Sequence, residues 1–168
     1  EIVAIEVPQR RGSRLVFDRD ETIRADTSPE KLASLAPVFS NNGTVTAANA
    51  PGVNAVASAL MLRGEDDAIA RGIAPLARVV AYATSGIEPE LVMMAPVKAV
   101  TLAWKKLDGV EDVDLFELNE AFAGSPVSLV KEPGIAAEKV NCNGGAVALG
   151  HPLGAFGARF LTTLVHAL

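Results

Sequence analysis

The sequence predicts an α/β fold, and three observations carry that prediction. β-prone runs at 2–7, 14–17, 77–83 and 113–118 alternate with stretches of helical periodicity after an initial β-rich segment. The composition is 49 % hydrophobic but only 5 % aromatic, with 14 glycines, which suits closely packed layers of sheet and helix. At 168 residues, a chain can bury roughly two-thirds of the surface its unfolded form exposes, so one domain with a real core is expected.

In chain order, IVAIEV (2–7) ends at Pro8, and RLVF (14–17) follows a QRRG turn, so a hairpin is expected. Thr27-Ser28-Pro29-Glu30 reads as a helix start, with a hydroxyl cap, proline in the first turn and a glutamate behind it. Leu32, Leu35 and Ala36 give that helix one apolar face up to Pro37, and Asn41-Asn42-Gly43 is a turn. Residues 44–59 are nearly all small and run into Leu60-Met61-Leu62, which predicts a buried element rather than a linker. Glu65 to Arg71 is a short polar helix closed by Gly72. The β-branched content of 77–83 (ARVVAYA) predicts a buried strand. Ala95 to Leu107 is the clearest helix, with Val97, Val100 or Thr101, and Trp104 on one face. Val113 to Leu118 reads as a strand with Asn119-Glu120 at its end. A weaker helix follows over 121–131, interrupted by Gly124 and Pro126.

Bulk properties exclude several function classes. A net charge of −5 argues against nucleic acid, which needs a basic face. No apolar run approaches the roughly 18 residues of a membrane span, and the N-terminus lacks the order of a signal peptide. A single cysteine forms no internal disulfide and fits a reducing compartment, so a cytoplasmic location is expected. The absence of an initiating Met suggests a processed or truncated piece.

Chemistry concentrates in Asn141 to Arg159, NCNGGAVALGHPLGAFGAR, which holds five glycines, the cysteine and one of two histidines. Glycines cluster where the backbone turns left-handed or something approaches it closely. An imidazole such as His151 exchanges protons near neutral pH. Asn119, past the end of a predicted strand, can orient a water or a carbonyl oxygen. Equally open are a packing or capping role for His151 and a turn role for Asn119. The stretch lacks the G-x-G-x-x-G and G-x-x-x-x-G-K-[ST] orders, so dinucleotide binding is not expected. Two histidines without Cys or acidic partners predict no metal site. His166 reads as structural in a last helical turn, and Cys142 as a small buried residue in a strand or a reactive thiol.

Asn119-Glu120-Ala121-Phe122 and, within the glycine stretch, Gly150-His151-Pro152 resemble the thiolase family, most closely its acetyl-CoA acetyltransferases. GTVTAANAPG, PLARVVAYA, GIEPE and APVKAV also occur in family order. The resemblance implies the C-terminal half of an α/β/α/β/α layered, thiolase-like fold lacking its last two strands. Residues 1–48 would end the CoA-binding loop domain, and 49–168 would form an incomplete C-terminal domain.

It further implies Claisen condensation of acetyl-CoA, or thiolysis of 3-ketoacyl-CoA, through a cysteine acyl-enzyme. His151 would activate the cysteine and help hold the thioester oxygen, and Asn119 would position the water completing that oxyanion site. Phe122 would line the pocket, Gly144-Gly145 would give the backbone room, and Pro51 stands where the family commonly has a serine near the pantetheine arm. Acyl-CoA would be substrate, with no cofactor.

There are departures. The family's nucleophilic cysteine falls upstream of Glu1 and its second cysteine beyond Leu168, and Cys142 matches neither. Met93-Met94 and Phe156 replace residues that are usually small, and Phe156 is placed to crowd the site. The chain alone is therefore expected to be inactive, its site completed by a missing part of the same chain or a companion thiolase segment, and the truncated sheet edge is expected to favour a homo-oligomer or partner binding. The alternatives are a catalytically inactive acyl-CoA-binding or scaffold module, and hydrolysis by a His151-activated water.

Overall fold

The hairpin and the helix starts at Pro29, Glu65 and Ala95 form where expected, while the helix from Ala95 ends at Trp104 and the one expected over 121–131 begins at Gly124. A computed structural model describes residues 2–107 and 112–168. Strands β1 (Ile5–Val7) and β2 (Leu15–Phe17) pair antiparallel, Ile5 opposite Phe17, and an exposed Arg14–Glu6 ion pair of 2.6 Å crosses the hairpin. Helix α1 (Pro29–Ala33) starts as the capping signal predicts: Ser28 is its N-cap, and its hydroxyl accepts from the Lys31 N–H at 3.3 Å. It stops short of Leu35 and Ala36, and none of its residues is buried. Helix α2 (Glu65–Ala70) carries three acidic residues in its first turn, where the helix dipole favours them. Asp67 holds Arg63 at 2.6 Å and Arg71 at 2.8 Å.

The core lies in the second half of the chain. Helix α3 (Ala95–Trp104) follows a 3-10 segment, Pro89–Met94, and packs against helix α4 (Gly124–Lys131). Pro126 is tolerated because it falls in the first turn of α4, where the N–H has no intrahelical partner. Leu118, Leu129 (1 % exposed) and Ile135 form the buried cluster, with Val97, Val100, Trp104, Phe116 and Val140 packed around it. Trp104 meets Phe116 edge to face at 6.1 Å. Val97, Val100 and Trp104 thus share the predicted face. A short helix α5 (Ala146–Leu149), not anticipated from sequence, precedes helix α6 (Phe156–Ala167).

Three expectations need correcting. Residues 77–83 are not a buried strand: Val79, Val80 and Tyr82 are 67, 72 and 78 % exposed. Among the described residues, no backbone–backbone hydrogen bond involves 74–87. The segment rests on α3 through side chains instead, with Lys98 Nζ donating to the Gly86 carbonyl (3.0 Å), Lys106 Nζ to that of Tyr82 (2.6 Å) and Ser85 Oγ to that of Ala95 (2.9 Å). β propensity reflects fit to a pleated surface, and without a paired neighbour it produces no strand.

Residues 44–59 likewise form no buried element, and Leu60-Met61-Leu62 are exposed. Among the described residues, 113–118 makes only a single parallel bridge, Phe116 with Val140, although Leu118 is buried as expected. Among the described residues, no helix is long and apolar enough to cross a membrane.

Candidate functional site

The glycine stretch ties together three segments that are remote in sequence. Asn141, in the left-handed region at φ 49°, acts through its side chain as an extra peptide group. Its Oδ1 accepts from the Leu118 N–H at 2.7 Å, and its Nδ2 donates to the Leu118 carbonyl at 3.1 Å and to Glu120 Oε1 at 2.7 Å. The second oxygen of Glu120 accepts the Val147 N–H at 2.8 Å, satisfying one of the free amides that open α5. A Cβ on Gly145 would collide with the Glu120 carboxylate. The room provided by Gly145 is thus taken up by Glu120.

Asn119 lies between these pinned residues and is exposed. Gly144 is half-buried and Gly145 buried.

His151 is fixed from the other side. Its N–H donates to the Gly52 carbonyl at 2.9 Å, with Asn54 Oδ1 a weaker acceptor at 3.3 Å, and Val53 bridges it in parallel. Half-buried Pro51 begins this docking segment. Gly150 has φ +99° and faces the Asn54 side chain so closely that a Cβ would collide with it. The imidazole is 7 % exposed, and its Nδ1 is buried with no hydrogen-bond partner among the described residues.

Phe156 meets the imidazole edge to face, 4.3 Å between centroids, and packs on Phe160, with the Arg159 guanidinium over both rings. The ring expected to crowd the site therefore lies directly against His151. Nearby, Glu117 Oε2 and Arg159 Nε and Nη2 are buried without partners among the described residues. Burial pushes the Glu117 carboxyl above its ordinary pKa, an effect partly opposed by the charge of Arg159.

Phe122 stands apart from the imidazole. It meets Phe39 edge to face at 5.9 Å and lines a groove of about 350 Å³ with Thr44, Val45, Asn49, Met93 and Val127. The Ala123 N–H donates to the Asn49 carbonyl at 3.0 Å, holding this groove to the start of α4. A second groove, about 570 Å³, runs between 53–58 and 152–155 beside His151.

Cys142 is exposed, not buried in a strand, because it falls in the turn that follows the left-handed Asn141. His166 lies in the last turn of α6 and is exposed. Sequence reasoning missed the clamping roles of Glu120, Asn141 and Asn54. The only local signals were an acidic residue directly after Asn119 and the paired glycines that make room for it.

This glycine-rich stretch, which carries a histidine toward a helix and clamps the Asn119-Glu120 segment, lies in a chain that belongs to the thiolase family. Residues 73–168 match the family model described as "Thiolase, C-terminal domain", and residues 1–66 match "Thiolase, N-terminal domain". Among its relatives, a probable acetyl-CoA acyltransferase of Staphylococcus epidermidis is 47 % identical over the whole chain. The chain spans only 43 % of that relative's length. The crystal structure of the Bacillus anthracis acetyl-CoA acetyltransferase superposes with a TM-score of 0.82 at 40 % identity, covering 99 % of this chain and 42 % of that one. Human mitochondrial 3-ketoacyl-CoA thiolase superposes equally well, TM-score 0.82 at 38 % identity, covering 98 % of this chain and 42 % of that one. The mixed α/β architecture is thus that of a thiolase-like fold fragment.

Proposed function

We propose that this chain supplies the histidine–asparagine half of an acyl-CoA thioester site of the acetyl-CoA acetyltransferase type, and that the attacking cysteine comes from protein outside these residues. One observation carries the reading: residues 141–151 hold both neighbours of Asn119, Leu118 through Asn141 and Glu120 through Asn141 and Val147, and the Gly52–Asn54 segment through the His151 N–H. In this reading His151 takes the proton of the attacking cysteine thiol, the thiolate adds to the thioester carbonyl, and the carbon–sulfur bond to CoA breaks as His151 returns that proton, so that CoA leaves as its thiol. Asn119 orients the water that donates to the developing oxyanion, an effect worth about 3 kcal/mol for one such donor. Phe122 and Pro51 line the path of the pantetheine arm, and Gly144 lets the backbone turn beside it.

The exposed area supports completion by further protein, either a companion thiolase segment or a second copy. The chain exposes 12587 Å², about 4,700 Å² more than the roughly 7,900 Å² of a folded monomer of its mass. An excess of that size on one chain exceeds the roughly 1,000–2,500 Å² that each partner contributes to an obligate interface of roughly 2,000–5,000 Å² in total.

The test is acetoacetyl-CoA cleavage. The purified chain should show none, and turnover should appear on mixing with a thiolase segment that carries the nucleophilic cysteine. Cleavage by the chain alone, lost in His151→Ala, would overturn the missing-nucleophile part. A catalytically silent acyl-CoA-binding or scaffold module is the second reading, favoured by the Phe156 ring seated on His151. Calorimetric CoA binding with no turnover on mixing would select it.

A further inference from the structure

We infer that Glu120, acting with Asn141, is the positioning residue that aims Asn119 into the thioester site, an inference that rests on the function proposed above. The Asn119 side chain is exposed, so its direction depends on the backbone that carries it. That backbone is pinned on both sides. Leu118 is held through its N–H and its carbonyl by the Asn141 side chain (2.7 and 3.1 Å). Glu120 is held by Asn141 Nδ2 (2.7 Å) and by the Val147 N–H (2.8 Å). A carboxylate that receives N–H donors makes stronger bonds than a neutral acceptor. It is also the one side chain here with an oxygen for each donor.

Two further features are shaped around this carboxylate. Gly145 has no Cβ where Glu120 passes, and Asn141 takes a left-handed backbone, which asparagine tolerates better than most residues. Both Glu120 oxygens are engaged. Glu120 acts through Asn119. A glutamine cannot replace it, because its amide would turn a donor toward either Asn141 Nδ2 or the Val147 N–H.

Two measurements test the inference. The first needs no activity: amide hydrogen exchange in the 168-residue chain. Glu120→Gln should speed exchange at Val147 by about tenfold or more, the loss of one hydrogen bond to a charged group, with α3 and α4 keeping their protection. Unchanged exchange at Val147 would overturn the clamp, as would equal loss across α3 and α4, which would mark a general structural role. If Glu120→Gln does not fold, Asn141→Asp, which sets a second carboxylate against Glu120, should give the same local pattern.

The second is a double-mutant cycle in the chain completed with a cysteine-bearing thiolase segment. Glu120→Gln should lower kcat about tenfold with KM little changed, and should have no further effect in an Asn119→Ala background. Additive losses would show that Glu120 does not act through Asn119. If the unaltered completed chain shows no turnover, the thioester reading fails and the aiming role with it, whereas the exchange result still decides whether Glu120 holds the turn.

Discussion

The two halves of this chain differ in how they are held together. From Pro89 onward, α3, α4 and the glycine stretch interlock through side chains that reach across tens of residues, such as Asn141 to Leu118 and Glu120 to Val147. Among the described residues, every buried hydrophobic residue except Ala68 lies between Leu118 and Phe156. Before Pro89, the hairpin, α1 and α2 are local structures that, among the described residues, contribute Ala68 alone to the buried hydrophobic set. Burial of apolar side chains is the main favourable term in folding. The second half therefore has its own source of stability, whereas the described first half buries little apolar surface of its own.

Protease access should show the widest contrast. In limited digestion with trypsin, cleavage at Arg63, Arg71 and Arg78 should precede cleavage at Lys98 and Lys131, because opening costs least where few apolar contacts must break. Simultaneous loss of both halves would break the distinction. Next in size is Leu129→Ala, which should cost about 2–5 kcal/mol in denaturant unfolding followed by Trp104 fluorescence, as deletions at closed core sites do.

A pH-dependent change follows from Glu117. Its carboxyl is raised in the folded state, chiefly by burial, so folding disfavours its ionised form. That penalty is absent below its ordinary pKa and is fully present once pH has risen through the folded value. Glu117→Gln should therefore raise the unfolding midpoint at neutral pH, with the gain disappearing in acid. A loss at neutral pH would mean that the Arg159 charge outweighs burial. Ser28→Ala should cost about 1 kcal/mol or less, confined to α1 and visible as faster exchange of the Lys31 amide. Smallest of all, Val80→Ala on the exposed segment should shift stability by less than about 0.5 kcal/mol.

What the sequence made legible follows the same division between local and distant signals. The hairpin, the Ser28 cap and the apolar face of α3 are written within a few residues, and they formed, whereas α4 starts at Gly124 rather than 121, which turns Pro126 from an interruption into a first-turn residue. The strands at 77–83 and 113–118 were written only as β propensity, which becomes a strand through pairing. In the described residues that pairing amounts to one bridge, Phe116 with Val140. The histidine turn was legible from its glycines, but the reason for two of them was not. Gly145 and Gly150 make way for Glu120 and Asn54, side chains 25 and 96 positions earlier. No local pattern encodes such a clash. Helix α5 was missed for a related reason, since its opening amide is satisfied by Glu120 from outside the segment.

The Phe156 ring seated edge-on at 4.3 Å from His151 also has a spectroscopic consequence. The chain has two histidines, and His166 is exposed at the end of α6. The imidazole region of a proton magnetic-resonance spectrum therefore holds only two residues' signals. The circulating electrons of the Phe156 ring displace those of His151, while those of His166 stay near the positions of a free side chain. Any partner or acyl-CoA that moves Phe156 will announce itself in that one pair of lines, giving an assay of site assembly that requires neither turnover nor a label.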